Sequence, residues 1–248
     1  MQPALIVTGG SRGIGAATAL LAAQRGYSVA VNYTHRGDAA DNVVAQIRAV
    51  GGTAMAVQAD VADEAQVLAM FRQVDTTLGR LSGLVNNAGV VDRAERLDAM
   101  DMQRLRRMFD INVLGSFLCA RQAVLRMSTR HGGSGGAIVN LSSAAARLGG
   151  AGQYVDYAAA KGAIDTFTVG LAREVATEGI RVNAVRPGII ETEIHASGGQ
   201  PNRARKMAPS VPMQRAGLAQ EVAHSIVWLL SAEASYTTGA ILDVSGGR

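Results

Sequence analysis

The sequence predicts an α/β protein built on a doubly wound, seven-stranded parallel sheet with helices on both faces. Short apolar runs alternate along the chain with longer segments of helical pattern, as repeated βαβ units require. Right-handed crossovers between parallel strands distribute the helices over both faces. Hydrophobic residues make up 48% and charged residues 18% of the 248 residues, so the chain can bury a substantial core. We expect one domain spanning 1–248.

Each element is placed by a local signal. The glycines of 9–15 form the predicted turn between the first strand and a helix that ends near Gly26. Asp38 and Asp63 are the predicted N-caps of the next two helices. Residues 191–215 hold glycines and prolines without a clear period, which predicts a substrate loop with some helix. The predicted strands are 4–8, 28–33, 53–60, 83–87, 137–141, 180–186 and 240–244; the predicted helices are 16–25, 38–50, 63–78, 157–178 and 220–230, with 98–130 largely helical.

The first turn, Gly9-Gly10-Ser11-Arg12-Gly13-Ile14-Gly15, lies between a strand and a helix. In that arrangement backbone N–H groups and a helix N-terminus can bind a pyrophosphate, as in Rossmann-type sheets. The spacing is Gly9-x-x-x-Gly13-x-Gly15 rather than Gly-x-Gly-x-x-Gly, and a tight βα turn could need these glycines for packing alone. Its place at the first βα turn favours dinucleotide binding.

Tyr157 and Lys161 lie four residues apart at the start of an alanine-rich helix, so both side chains share one face. An ammonium there is expected to lower the phenol pKa from about 10, so that the tyrosine can exchange a proton near neutrality. Lys161 and Lys206 are the only lysines among 24 basic residues, and no other of the five tyrosines has a lysine four positions later. A solvated Tyr–Lys pair is the competing interpretation, and the scarcity of lysine favours chemistry. Ser142 and Ser143 end the fifth strand, at the edge where ligands bind.

Composition argues against several other classes of function. The net charge is +4, but the arginines are scattered and aromatic residues are only 4%, so no nucleic-acid surface is predicted. The four histidines show no metal-ligand spacing, and we predict no metal site. Cys119 is the single cysteine, no apolar run approaches the length of a membrane span, and no secretory signal is visible. We therefore expect a cytoplasmic protein without a membrane partner.

Taken together, an ordered set of motifs resembles the short-chain dehydrogenase/reductase family, in its one-domain branch. The resemblance covers nearly the whole chain. It rests on Thr8-Gly-Gly-Ser-Arg-Gly-Ile-Gly15, Asp60-Val61, Asn86-Asn87-Ala88-Gly89, Asn112, Ser143, Tyr157-x-x-x-Lys161 and Pro187-Gly188.

The resemblance implies a catalytic set of Asn112, Ser143, Tyr157 and Lys161. Tyr157 would be the acid/base, Lys161 would lower its pKa and hold the nicotinamide ribose, and Ser143 would hydrogen-bond the substrate oxygen. Asn112 would help to hold a water that connects Lys161 to solvent. The interval between Ser143 and Tyr157 is one residue longer than in many members, which indicates an insertion in 144–156 and leaves Ser142 as the alternative serine.

The same resemblance implies a set of cofactor contacts. They are Gly9, Ser11, Arg12, Gly13, Ile14, Gly15, Asn32, Tyr33, Thr34, Arg36, Asp60, Val61, Asn87, Ala88, Gly89, Lys161, Pro187, Gly188, Ile190 and Thr192. Asp60 and the asparagines of 86–87 could instead serve only to satisfy the backbone of turns.

NADP is predicted as the preferred cofactor, with NAD possible. An acidic residue at the end of the second strand would bind the ribose 2′-OH of NAD, but here no carboxylate precedes Asp38. Arg12 and Arg36 can approach the same pocket and suit a dianionic phosphate. If both arginines are merely solvated, the preference is not supported.

The expected activity is hydride transfer that interconverts an alcohol and a carbonyl. Parts of the chain look most like bacterial glucose 1-dehydrogenases and 3-oxoacyl-carrier-protein reductases, so a sugar, polyol or other small alcohol or ketone and an acyl substrate remain open. Arg130 and Arg173 could help to dock an acidic carrier protein. A non-catalytic dinucleotide sensor or scaffold is the alternative of another class. The resemblance also implies a homotetramer, and the late apolar helix and edge strand suit such contacts.

Overall fold

The computed structural model describes residues 2–248, apart from the side chains of His195 and Ser197, and it confirms the α/β class. Two sheets are formed, and the larger has seven parallel strands. The strands are β1 Ala4–Val7, β2 Ser28–Tyr33, β3 Ala54–Gln58, β4 Leu81–Asn86, β5 Gly136–Leu141, β6 Ile180–Pro187, β7 Ile190–Glu191, β8 Gly217–Leu218 and β9 Ile241–Val244.

The order in the large sheet is β3-β2-β1-β4-β5-β6-β9, and β7 pairs with β8 in a separate two-stranded sheet. The strand order reverses between β1 and β4, which both run parallel to each other. In open α/β sheets ligands bind beyond the carboxyl ends of the strands at this switch point. The fold is therefore of the Rossmann type predicted from the sequence.

Ten α-helices of the described chain connect and cover these strands. They are α1 Gly13–Gln24, α2 Gly37–Ala49, α3 Glu64–Thr77, α4 Met102–Phe109, α5 Gly115–Met127, α6 Ala145–Leu148, α7 Val155–Val175, α8 Ile194–Ser197, α9 Arg203–Met207 and α10 Ala219–Leu230.

The core lies on both faces of the sheet. Along β1, Ile6 packs into a cluster with α3, α5 and α7, whereas its neighbours Leu5 and Val7 pack into a second cluster with α1, α2 and α10. Side chains alternate across a strand, so a strand buried on both faces must be apolar throughout, as Ala4–Val7 is. The two layers hold the carboxyl ends of β1, β4 and β5 rigidly in place.

Several elements differ from their predicted form. α2 begins at Gly37, with Arg36 at its N-cap, so the prediction that Asp38 caps this helix is wrong. Asp38 instead lies in the first turn, where its carboxylate accepts two hydrogen bonds from Arg36, both 3.1 Å. By contrast, Asp63 caps α3 as predicted, through a hydrogen bond from the Gln66 amide.

The segment predicted as largely helical over 98–130 contains α4 and α5, joined without a break by a π-helical turn at Asp110–Leu114. The described residues contain one helix, Met102–Met127, that is long and apolar enough to span a membrane by length and composition alone. Half of its most apolar window is buried inside the fold, and the core helix of a soluble protein passes the same test.

Candidate active site

A cavity of about 350 Å³ opens beyond the carboxyl ends of the strands at the switch point. Ten predicted site residues line it: Ile14, Asn87, Gly89, Ser143, Tyr157, Lys161, Pro187, Gly188, Ile190 and Thr192. The sequence motifs are far apart along the chain, and the parallel sheet brings them to one edge. The other predicted site residues do not line this cavity.

The glycine turn leaves room that a side chain would fill. A Cβ atom at Gly15 would lie 2.4 Å from the Gly9 carbonyl oxygen and 2.5 Å from the Asn87 amide nitrogen. Gly9 and Gly13 have φ of 59° and 54°, a backbone conformation that favours glycine. The Asn87 side chain fixes the turn by donating to the carbonyl oxygens of Thr8 and Gly9, at 2.8 and 2.9 Å.

The N-terminus of α1 faces this turn and carries no acidic residue in its first turn. Its free N–H groups and the helix dipole suit an anion. Gly89 lies between two other predicted site residues, because a Cβ there would be 2.8 Å from Asn112 Oδ1 and 3.5 Å from Lys161 Nζ. This bare backbone cradle, with an unopposed helix N-terminus, fits a dinucleotide pyrophosphate.

Tyr157 and Lys161 share one face in the first turns of α7, as their spacing predicted. Lys161 Nζ lies 5.7 Å from the centroid of the Tyr157 ring and donates to the Leu141 carbonyl oxygen at 2.7 Å. Ser143, beyond the end of β5, lies close enough to the Tyr157 phenol to lower its pKa, and both residues line the cavity. Two hydroxyls and an ammonium therefore converge at one end of the cavity.

The two ionisable groups keep their protons at neutral pH. Burial raises the pKa of Tyr157 above its ordinary value, and the effect of Ser143 only partly opposes that shift. The expectation that Lys161 leaves this pKa lowered is wrong for the protein alone, because removal from water disfavours the phenolate more strongly. Burial also lowers the pKa of Lys161 to about 8, against the attraction of Asp165.

The two adjacent serines have different partners. Ser142 is buried, and its Oγ donates to the Lys161 carbonyl oxygen at 3.2 Å, which ties β5 to α7. Ser143 accepts a hydrogen bond from the Ala145 amide at 3.1 Å and reaches Tyr157. The loop in which an insertion is predicted contains the short helix α6, and the insertion itself stays a prediction.

Asn112 is fully buried in the π-helical turn between α4 and α5. Its amide nitrogen donates to the carbonyl oxygens of Val90 and Met108, both at 3.0 Å, and its Oδ1 accepts from the Val90 amide at 3.2 Å. π-turns within α-helices often occur at functional sites. Asn112 thus fixes the segment after β4 beside Lys161.

Comparisons with known proteins agree with this geometry. A family model described as Enoyl-(Acyl carrier protein) reductase matches residues 9–248. A 3-oxoacyl-[acyl-carrier-protein] reductase, FabG, of Staphylococcus aureus (strain Mu50) is 38% identical over 100% of this chain and 98% of its own length. A solved short-chain type dehydrogenase/reductase from Mycobacterium marinum superposes with a TM-score of 0.92 at 34% identity, over 99% of this chain and 94% of that one.

The chain belongs to the short-chain dehydrogenase/reductase family. An uncharacterized oxidoreductase, YgfF, of Escherichia coli (strain K12) is 56% identical over 98% of both chains. Members of the family use a nicotinamide dinucleotide to interconvert carbonyl and alcohol groups of small molecules. The protein is an oxidoreductase of this kind.

In this short-chain dehydrogenase/reductase, some of the residues predicted to contact the cofactor make hydrogen bonds to the protein backbone. Asn32 is buried, accepts from the Gly9 amide at 3.1 Å and donates to the Ala59 carbonyl oxygen at 3.0 Å. The Asp60 carboxylate accepts from the Ala62 amide at 3.0 Å, the local turn that the sequence left open as an alternative. Their contacts with a cofactor stay predictions, as do those of Ser11, Tyr33, Thr34, Val61 and Ala88.

The two arginines predicted at the adenosine end lie close to one carboxylate. Arg12 Nη1 is 3.3 Å from Glu193, and the same Glu193 raises the pKa of Arg36, after the larger effects of the hydrogen bond and charge of Asp38. Glu193 is thus paired with Arg12 and near enough to Arg36 to affect its pKa, and the joint role of the two arginines at a phosphate stays a prediction. Each arginine is already paired with a carboxylate, which residue spacing does not predict.

Sequence reasoning missed a buried ion pair directly beside the catalytic helix. Arg104 of α4 donates to both Asp156 carboxylate oxygens, at 2.8 and 3.3 Å, and also to Glu95 and the Arg93 carbonyl oxygen. Asp156 in turn accepts from the Tyr157 amide at 2.9 Å. The only sequence signal was an arginine on a helical face and an aspartate before Tyr157, and neither implies contact across 52 residues.

Sequence reasoning did not single out the residues of the far wall of the cavity. Arg203 and Met207, from the predicted substrate loop 191–215, line it together with Leu148, Tyr154 and Arg248. The Arg203 guanidinium lies 5.0 Å from the centroid of the Tyr154 ring. These residues come from three separate segments, and only the fold shows that they meet.

Proposed function

We propose that the protein is an NADP-preferring oxidoreductase in which Tyr157 exchanges a proton with the oxygen of a small carbonyl or alcohol substrate. The convergence of Ser143, Tyr157 and Lys161 on one cavity carries the proposal. This arrangement is what carbonyl reduction needs, because negative charge develops on one oxygen as hydride arrives at the adjacent carbon.

The residues divide the work by their chemistry. The nicotinamide supplies or accepts the hydride when it is bound. Ser143 donates a hydrogen bond to the substrate oxygen, and Tyr157 gives that oxygen its proton in the reductive direction. Because burial keeps Tyr157 protonated, it is ready to act as the acid. Lys161 remains largely charged at neutral pH and favours a nearby phenolate once the proton has left.

The chain offers a place for each part of the cofactor. The glycine turn and the N-terminus of α1 would hold the pyrophosphate, Lys161 the nicotinamide ribose, and Asn87 and Gly89 the segment between them. Pro187, Gly188, Ile190 and Thr192 line the cavity on the side of β6 and β7, where they would cover the nicotinamide.

The preference for NADP rests on the end of β2. No carboxylate stands where an NAD-specific site places one, and Arg12 and Arg36 flank the region where a 2′-phosphate would lie. A dianionic phosphate can replace Glu193 and Asp38 as the partner of these guanidiniums, since it offers more charge and more acceptors.

We also propose a cytoplasmic homotetramer in which the chain forms a single domain. Phe109, Leu114, Phe117 and Leu125 expose apolar surface along α4, the π-turn and α5. Trp228 and Leu242 expose a second apolar area on α10 and β9. Two separate apolar faces suit two two-fold axes, and an exposed patch of this kind marks an interface.

A 3-oxoacyl-carrier-protein reductase is the second candidate. It is favoured by the relatives that bear this name over nearly the whole chain. Arg130 and Arg173 are exposed, as docking of an acidic carrier would need, although Arg130 lies 3.9 Å from Glu178. A non-catalytic dinucleotide sensor would bind the cofactor without turnover.

The proposed function is tested by a substrate panel followed through nicotinamide absorbance. Ketones, β-ketoacyl thioesters, sugars and polyols are offered with NADPH or NADP, and Tyr157→Phe serves as the matched background. We expect turnover of small carbonyl compounds that the variant largely loses. Turnover confined to thioesters would favour the second candidate, and cofactor binding with no turnover of any compound would favour the sensor.

A further inference from the structure

Two arginines line the substrate side of the cavity, and the described residues that line it include no aspartate or glutamate. Arg203 projects from α9, and Arg248 is the last residue of the sequence. Much of the lining between them is apolar, including Leu148, Ile189 and Met207. With Lys161 at the catalytic end, every charged side chain in this lining is cationic. The electrostatic potential therefore favours an anion in the cavity.

The backbone of Arg248 is fixed by hydrogen bonds, whereas one nitrogen of its guanidinium has no hydrogen-bond partner within the described residues. Its carbonyl oxygen accepts hydrogen bonds from Arg147 Nη2 and Ser245 Oγ, both at 2.9 Å. Its guanidinium nitrogen Nη1 is buried, yet it has no hydrogen-bond partner among residues 2–248 as described. A buried guanidinium N–H without an acceptor is costly, so the Arg248 side chain would gain from an anionic partner in the cavity that it lines.

The carboxylates that line a neighbouring cavity with Arg248 are already engaged. Arg248 also borders a second, more open cavity that is lined by Asp243 and Glu221. Asp243 lies 3.5 Å from Arg147, and Glu221 pairs with Arg215 at 2.6 Å. These partners explain why neither carboxylate satisfies Arg248.

Arg203 is also free of a carboxylate within the described part of the chain. One of its nitrogens donates to Gln200 Oε1 at 3.1 Å, and its plane lies over Tyr154. Gln200 donates in turn to the Tyr154 hydroxyl at 3.3 Å. These contacts orient the guanidinium beside the cavity while leaving most of its donors available.

We propose that the substrate carries a carboxylate, which Arg248 and Arg203 bind while its carbonyl or alcohol oxygen meets Ser143 and Tyr157. The substrate class is therefore a small aliphatic oxo acid or the corresponding hydroxy acid, rather than a neutral sugar. A planar guanidinium matches a carboxylate with two parallel hydrogen bonds, which fixes the orientation of the substrate as well as its charge. This inference rests on the proposed carbonyl chemistry.

The test compares a homologous series of aliphatic oxo acids with their methyl esters, which keep the carbonyl and lose the charge. We expect wild-type kcat/KM to be higher for the best acid than for its ester by about 10- to 100-fold, the range expected for hydrogen bonds to a charged group. Arg203→Met and Arg248→Met should each lower kcat/KM for the acid much more than kcat/KM for the ester, so that the preference for the acid falls. Arg248→Lys should restore part of the loss.

Arg205→Met is the matched control, because Arg205 lies on the same helix as Arg203 but is exposed and outside the cavity. Equal kcat/KM for acids and esters, or an acid preference that survives both cavity substitutions, would overturn the proposal. Preferred reduction of a neutral β-ketoacyl thioester would overturn it as well.

Calorimetry with hexanoate and hexanamide, on the NADP-saturated protein, separates this inference from the proposed function. Stronger binding of hexanoate that is lost in both cavity variants would uphold the anion site even if no carbonyl compound were turned over. Equal binding of the two probes would overturn the anion site, whatever the protein reduces.

Discussion

Within the protein itself, the guanidinium of Arg36 is paired with the carboxylate of Asp38. Asp38 binds it with two hydrogen bonds and raises its pKa, while Glu193 pairs with Arg12 and has a smaller effect on the pKa of Arg36. A 2′-phosphate must displace these contacts. The binding free energy that the arginines add for NADP is therefore their interaction with the phosphate minus the interaction with the carboxylates that they lose. That difference still favours the phosphate, because it carries the larger charge.

Arg36→Ala is therefore expected to weaken NADP binding by about tenfold and to leave NAD binding nearly unchanged. The loss should be larger at low salt, where exposed charges are less screened. Dissociation constants for both cofactors, on wild type and variant, measure it. Arg25→Ala is the control, since Arg25 is exposed at the end of α1. Tighter binding of NAD than of NADP to the wild type would contradict the preference.

At the scale of elements, α4 is tied to the start of α7 by the Arg104–Asp156 pair. Both side chains are almost completely buried, at 8% and 0% exposure, and Arg104 also holds the segment after β4 through Glu95 and the Arg93 carbonyl oxygen. Because Asp156 accepts from the amide of Tyr157, the pair fixes the residue at which the proton is exchanged.

Removing one partner of a buried pair leaves the other charge uncompensated. Arg104→Met should therefore lower the free energy of unfolding by about 3–5 kcal/mol. Arg121→Met is the matched control, because its pair with Glu64 is exposed and should be worth at most about 1 kcal/mol. Urea denaturation of both variants gives the comparison. Equal losses in the free energy of unfolding for the two variants would show that the Arg104–Asp156 pair does not stabilise the contact between α4 and α7.

The elements themselves were largely predictable, because short apolar strands and amphipathic helices follow from residue spacing alone. The strands and the capping of α3 by Asp63 need only local information. The prediction that Asp38 caps α2 was wrong, because the Asp38 carboxylate accepts hydrogen bonds from the Arg36 side chain instead. Residue spacing does not predict that side-chain contact. The π-turn around Asn112 was also beyond local rules, as it depends on burial against the segment after β4.

The residues of the candidate site also fall into those that local sequence predicts and those that it does not. Tyr157, Lys161 and the glycine turn were recognisable because their chemistry lies in short, local motifs. The Arg104–Asp156 pair and the Arg203–Arg248 wall could not be foreseen, because each joins segments that are distant in sequence. The pKa of Tyr157 depends on burial, which spacing does not report, and the expected downward shift was therefore wrong for the protein alone.

At the scale of the whole molecule, the apolar face of α5 remains uncovered. Phe117 is 44% exposed although it stacks on Phe167 of α7 at a ring distance of 3.8 Å. Leu114 and Leu125 extend the same helical stretch. A second copy of this face would cover it and bring α5 and α7 of two subunits together.

Phe117→Asp should therefore reduce the proposed tetramer to dimers, because it buries a charge in that interface. Light scattering at micromolar concentration measures the mass. Val50→Asp is the control, since Val50 is an exposed apolar residue at the end of α2. A wild-type monomer would refute the assembly, and an unchanged tetramer of Phe117→Asp would show that this face is not its interface.

The role of Tyr157 is tested most directly by the turnover of Tyr157→Phe with NADPH and the best carbonyl compound of the panel. The substitution removes only the hydroxyl, so the Kd for NADP should stay close to the wild-type value. Turnover should fall by about 10²- to 10⁴-fold, the usual contribution of acid–base catalysis. Turnover above about a tenth of wild type, with the cofactor bound normally, would contradict the assignment of Tyr157 as the proton donor.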